Sequence, residues 1–331
     1  MKFRYLIFSI IAIFLVKPVL SADWESFKAK FMKNNEYIVD PYNNYRVTSE
    51  AQGYGMLIAV LNNDKYTFDK MLNWSINNLQ REDKLFNWHW NGGKVIDKNN
   101  ALDGDLFIAY SLLMAYKTWK DEKYINLFNQ ILPAIKQLIL PILWDNNENI
   151  LLIPAKYGFI HENEGTITLI PSYYIPFIFN EFYNYTADEI WEKLYNYTLN
   201  RIYSIRDIPF SVDYSLFSKN ICKVTNYVDI DTYRIILYAY LDENVDIIRS
   251  SGTFQKVIEF YKKEGYIPIK FFLDGTPQTK ENSPYCVYRW FYFIYNDKKL
   301  LEIYEKNKEI DKNNYFCEAL DLIEKGLKRG K

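Results

Sequence analysis

The sequence predicts an all-α fold, a toroid of paired inner and outer helices. Three observations lead there. Helix-like segments recur along the whole chain, several with apolar residues at i, i+3, i+4 and i+7. Some, such as "DGDLFIAYSLLMAYKTW", are apolar nearly all round after the first turn and read as inner helices. Strand-like stretches are few and short, as in "NILLIPAKYGFI", and no repeat of fixed period suggests an open solenoid.

The expected helices run in order. Trp24 to Met32 opens the folded part, followed by Glu50 to Leu61 and Tyr66 to Leu79. Asp103 to Lys120 is the inner helix quoted above, and Tyr124 to Leu140 follows it. Ser172 to Asn184, Ala187 to Ile202 and Thr232 to Leu241 make up the middle. Val245 to Gly265, Ser283 to Asn296, Lys298 to Asn307 and Asn314 to Lys328 complete the set. In a toroid of this kind, acidic residues at inner-helix N-termini converge on one end. The second helix poses a question, because "EAQGYGM" puts Gly53 and Gly55 in its first turns. Glycine there costs roughly 0.8–1 kcal/mol relative to alanine. The expectation is that something must approach the backbone closely there.

Composition excludes some classes. The 331 residues carry a net charge of -1 with Lys and Arg scattered, so no nucleic-acid footprint is present. Aromatics reach 18%, with 30 Tyr, 22 Phe and 8 Trp. That excess fits a ring-rich core first and a ring-lined groove second. No linker or low-complexity tail divides the chain. At the start, Lys2 and Arg4 precede an apolar run from Tyr5 to Val16, then small residues near Ala22. This is the layout of a secretory signal peptide over residues 1–21, with 22–331 as one domain. An uncleaved anchor is the alternative. The chain is expected in the periplasm or outside the cell. Cys222, Cys286 and Cys317 form neither a disulfide framework nor a zinc pattern; buried free thiols are expected, with at most one bridge as the alternative.

Histidine is nearly absent. His89 and His161 have no partners at metal-ligand spacing, and no nucleophile-elbow pattern exists. Acid–base chemistry therefore falls to carboxylates. Glu50, Asp103 and Asp231 each sit in apolar or aromatic sequence at a helix start, where each can also be read as a first-turn acid favoured by the helix dipole. Asp105 reads as a capping residue, and "DGD" as no metal pair.

Together these segments resemble glycoside hydrolase family 8. "TSEAQGYGM" is similar to its "TSEGQGYGM" signature, and "NNALDGDLFIA" to its "N-A-T-D-G-D-L-x-I-A" helix. "LIPSYYIPF" resembles its "NPSYF" passage, and "IDTYRIILYAY" its "YDAIRVPLYLA". The chain departs at Ala51, Leu102 and Ile230. Asp229 stands two residues from Asp231, and the register to Arg234 favours Asp231.

The resemblance implies an (α/α)6 barrel and an inverting endo-glycosidase that cuts β-1,4-glucan. It implies Glu50 as general acid, Asp231 as general base and Asp103 as the carboxylate that holds the sugar. Arg234 would orient the base, and Tyr173 would lie near the attacking water. Trp88 or Trp90 would stack on sugar, with Gln52 and Tyr54 also at the substrate. Xylanase, lichenase or chitosanase activity, or an inactive glycan-binding barrel, is the alternative. The expected partner is a β-glucan polysaccharide or oligosaccharide, with no cofactor, no metal and no nucleic acid. The chain is expected to be monomeric, and association with a cellulose export system enters as a hypothesis.

Overall fold

The protein is described by a computed structural model over residues 22–144, 147–218 and 220–329; the expected signal peptide, 1–21, lies outside the described residues. Among the described residues no helix is long and apolar enough to cross a membrane. Thirteen helices are present among them: α1 (Ala22–Phe31), α2 (Ser49–Leu61), α3 (Lys65–Asn78), α4 (Leu102–Trp119), α5 (Glu122–Lys136), α6 (Pro176–Thr186), α7 (Glu189–Tyr197), α8 (Ile230–Leu241), α9 (Val245–Arg249), α10 (Gly252–Glu264), α11 (Tyr285–Tyr295), α12 (Lys298–Ile310) and α13 (Tyr315–Arg329).

Helices α2, α4, α6, α8, α11 and α13 each pack on the next, and α13 packs back on α2. The ring is thereby closed, and the fold is an (α/α)6 barrel. Burial follows position. Inner α2, α4 and α8 bury most of their residues, whereas outer α12 buries Leu300 and Tyr304 alone.

The two ends of the barrel are built differently. At one end, each inner helix turns into the next outer helix within two or three residues. These five turns each contain a left-handed residue that is not glycine: Asn63, Lys120, Ala187, Glu243 and Asn296. In four of them the following aspartate caps the outer helix. Asp64, Asp121, Asp188 and Asp297 accept N–H bonds from Thr67, Lys123, Ile190 and Lys299. At the other end the returns to inner helices are long, except before α13. Long returns must satisfy their own backbone groups, and they do so by pairing. The described residues contain thirteen short strands in five antiparallel sheets, which corrects the expectation of few strands.

Other boundaries also differ from expectation. Helix α5 stops at Lys136, not Leu140, and Ile139–Trp144 pairs with Asn147–Leu152. Pro141 biases the residue before it away from helix. Ser172 belongs to a 3-10 turn, and α6 starts only at Pro176, which takes the first helical position. The expected helix Val245 to Gly265 breaks at Ser250–Ser251. There the Ser251 hydroxyl donates to the Arg206 carbonyl at 3.2 Å, and the 206–207 segment wedges against Gly252. Cys286 and Cys317 are disulfide-bonded, not free, with Cα atoms 5.2 Å apart; Cys222 is free and exposed. Ring closure places α11 beside α13, a proximity that cysteine spacing could not reveal.

Inner helices α2 and α4 cross at glycine. A Cβ on Gly53 would lie 2.7 Å from Phe107 Cβ, and one on Gly104 would lie 2.7 Å from the Glu50 nitrogen. A Cβ on Gly55 would meet Met71 and Ile38. The glycines thus admit neighbouring protein, and both Gly53 and Gly55 are buried.

Ala187 offers a test of the turn geometry. It sits at φ 54° and caps α6, where glycine avoids the Cβ penalty. Ala187→Gly is expected to stabilise the fold by about 0.5–1 kcal/mol, after allowance for unfolded-chain entropy. Urea unfolding would show a raised midpoint with an unchanged slope. A lowered midpoint would contradict the turn assignment.

Candidate active site

The starts of α2, α4, α8 and α13 face one cleft of about 230 Å³ at the long-return end, where Glu50, Asp103, Asp231 and Tyr315 line it. Thr48 begins α2 by accepting the Ala51 N–H at 3.1 Å, which sets Glu50 in the first turn. At its centre lies Arg234, with a side chain only 1% exposed. Its Nη1 donates to Glu50 Oε2 and, at 3.0 Å, to the Tyr54 hydroxyl. Its Nη2 donates to Asp103 Oδ2 at 3.0 Å and lies 3.2 Å from Asp231 Oδ1. One guanidinium therefore joins all three carboxylates. The expectation is that Arg234 orients the base; it does lie beside Asp231, but its hydrogen bonds go to Glu50, Tyr54 and Asp103.

The carboxylates differ in access to water. Side-chain exposure is 42% for Asp231, 17% for Glu50 and 3% for Asp103. Burial pushes the Glu50 carboxyl up to about 7; Arg234 opposes this and Asp103 adds to it. Burial also raises Asp231, with Arg234 opposing and the Glu50 charge adding. Asp229 is placed differently. Its Oδ1 accepts the Asp231 N–H at 3.0 Å, so it caps α8 and does not line the cleft.

The expected sugar-contacting residues separate. Tyr173, at the end of the 3-10 turn Pro171–Tyr173, lines the cleft, with the Arg234 guanidinium 5.9 Å from its ring. Trp88 also lines it. Trp90 instead packs on Tyr37 and Trp74, at ring distances of 5.8 and 5.3 Å. Gln52 and Tyr54 are fully buried, which corrects their assignment to substrate. Gln52 exchanges hydrogen bonds with the Ile38 backbone at 2.9 and 3.0 Å and so pins the short strand Tyr37–Ile38 to α2. Tyr54 supports Arg234 from below. Asp105 does not cap α4 with its side chain. It accepts from the Phe86 N–H and the Asn100 amide, both at 2.8 Å, and burial pushes it up to about 7.

Sequence reasoning missed Arg46 and Tyr315, which complete the cleft wall. Tyr315 opens the last inner helix, and that position was its one available signal. Among the described residues no group of three or more His, Cys, Asp and Glu is arranged to hold a metal ion. A second groove, about 310 Å³, lies between α1, α12 and α13. Its charges are paired internally, as in Lys30–Glu318 at 2.6 Å and Lys308–Asp321 at 2.8 Å, and no ring lines it.

Known proteins share this arrangement of helices. The structure of an endo-β-1,4-glucanase from Acetobacter xylinum superposes with a TM-score of 0.78 at 24% identity, over 93% of this chain and 97% of that one. An endo-1,4-D-glucanase from Vibrio fischeri ES114 gives 0.77 at 23%, over 93% and 94%. In sequence, an endoglucanase of Escherichia coli (strain K12) is 28% identical over 266 residues, 75% of this chain and 70% of its own. The family model for glycosyl hydrolases family 8 matches residues 3–329. That match takes in the closed helical ring and every segment that contributes a carboxylate to the cleft, so the chain belongs to glycosyl hydrolase family 8.

Proposed function

We propose that the protein hydrolyses β-1,4-linked glucan within the chain, with inversion at the anomeric carbon. One observation carries this reading: Arg234 joins a carboxyl that is protonatable near neutrality, Glu50, to a water-accessible carboxylate, Asp231. Glu50 donates its proton to the leaving glycosidic oxygen. Asp231 takes a proton from a water that attacks from the opposite face of the ring. Glu50 becomes charged in that step, and the Arg234 guanidinium beside it stabilises the new carboxylate. Asp103, buried and ionically paired, holds the sugar at the cleavage point. Tyr173 borders the attacking water, and Trp88 stacks on a pyranose face. The substrate class is supported by relatives that are named endoglucanases.

The same reading includes export and action as a monomer, beside a cellulose exporter. The charged and apolar start supports export. So does the buried Cys286–Cys317 bond, which suits an oxidising compartment. Protein recovered from a secreting host should begin at residue 22 or 23. An intact Met1 on membrane-bound protein would identify an anchor instead.

The pH profile tests the acid. Glu50 works protonated, so kcat/KM on cellohexaose should fall tenfold per unit above a midpoint of about 7. Asp231 works ionised, and its raised pKa places the acidic limb above the ordinary aspartate value. Glu50→Gln should lower turnover about 10²–10⁴-fold on natural linkages. The loss should be smaller on aryl glycosides with good leaving groups, which need less protonation. Equal losses on both substrate types would remove Glu50 from the role.

The base and the stereochemistry are tested together. Proton NMR of cellohexaose cleavage should show the α-anomer before mutarotation. Asp231→Asn should abolish hydrolysis while oligosaccharide binding persists, and Asp229→Asn should retain most activity. A first-formed β-anomer, or an essential Asp229 with a dispensable Asp231, would overturn the assignment.

A further inference from the structure

The hairpin that brings Trp88 to the cleft is Asn87–Asn91 paired with Lys94–Asn100, and Asn87 faces Asn100 across it. Phe86 enters this hairpin and Asn100 leaves it. Both ends are bonded to one side chain. Asp105 is 0% exposed, and its Oδ1 accepts the Phe86 N–H at 2.8 Å. Its Oδ2 accepts from Asn100 Nδ2, also at 2.8 Å. We propose that Asp105 is a positioning residue for Trp88, fixing both ends of the Trp88 hairpin to the helix that carries Asp103. This inference rests on the reading of the cleft as a glucan site.

The donor and acceptor pattern explains why a carboxylate is required. Asn100 is 2% exposed, and its Oδ1 accepts the Lys156 N–H at 2.7 Å. Lys156 has only a donor to offer there, so the amide must turn its NH₂ toward Asp105. Asp105 thus faces two donors, and only a carboxylate presents an acceptor to each. An asparagine at 105 would set NH₂ against NH₂. Turning Asn100 over would move the same conflict to Lys156. A buried unpaired donor is destabilising, so the hairpin would shift to reach water or another acceptor. A dry carboxylate is itself unfavourable. Its place in the first turn of α4, where the helix dipole favours negative charge, offsets part of that. The same contacts tie in the 154–157 segment. The Leu102 N–H donates to the Pro154 carbonyl at 2.9 Å, and Asn99 Nδ2 donates to the Tyr157 carbonyl at 2.9 Å.

The pair can be exchanged. In the double variant Asp105→Asn/Asn100→Asp, the amide introduced at position 105 would accept from Phe86 and donate to the carboxylate introduced at position 100. The second oxygen of that carboxylate would accept from Lys156. Every hydrogen bond survives with the charge moved across. We expect Asp105→Asn to raise KM for cellohexaose about tenfold, the scale set by one unpaired buried donor, with kcat changed less than about threefold. Amide hydrogen exchange in 86–100 should quicken about tenfold while α8 and α11 are unchanged. The exchanged double variant should return both quantities to within about twofold of the starting protein. A purely structural role would lower the folded fraction and leave KM alone, and that result overturns the proposal. So does unchanged exchange in 86–100, or a double variant that keeps the elevated KM. If Asp105→Asn does not fold, the double variant decides: a normal KM supports the proposal, and a raised KM or failure to fold overturns it. If the unmodified protein cuts no glucan, the functional reading fails, and the exchange measurement still decides the role of Asp105.

Discussion

Arg234 is a cation with almost no access to water, and a buried charge persists only when it is paired. Three inner helices meet that requirement by directing the carboxylates of Glu50, Asp103 and Asp231 at it. With all three ionised, negative charge exceeds positive at the centre of the site. Burial is the main cause of the raised Glu50 pKa, the Asp103 charge adds to it, and Arg234 opposes both. The acid is thus poised by its burial beside Asp103, against the pull of the guanidinium. A lysine could not take this place, because a point charge has no planar fork to bridge separate carboxylates.

Such a cluster needs its helices held at close range. Gly53 and Gly104 let α2 and α4 cross nearly backbone to backbone, beside Glu50 and Asp103. Gln52 and Tyr54 occupy the layer beneath. One locks a strand to α2, and the other donates no side chain to the cleft but braces the guanidinium. Gln52 and Tyr54 therefore support the start of α2 from positions that do not line the cleft.

The barrel separates stability from chemistry by its ends. Short turns with left-handed residues and aspartate caps close one end. Long, sheet-forming returns build the other, and these supply Trp88, Tyr173 and Arg46 to the cleft wall. Inner-helix N-termini open on that same end, so their dipoles lie beside the acidic cluster.

Periodicity is a local property, and it made the helical toroid and the inner character of α4 legible in the sequence alone. Local motifs likewise singled out Glu50, Asp103, Asp231 and Arg234, because each stands at an unusual polar point in an apolar run. Proline and serine interruptions at 141, 176 and 250–251 were legible in principle, but apolar spacing outweighed them. What ring closure decides has no local trace. It set Cys286 against Cys317, brought Tyr315 to the cleft, gave Arg234 two acidic partners from other helices, Glu50 and Asp103, and turned Asp105 toward Phe86 and Asn100. It also divided Trp88 from Trp90, two residues apart with nothing in composition to tell them apart. The physical reason is that a sequence specifies which faces must be buried, while the partners met at those faces come from helices far away along the chain.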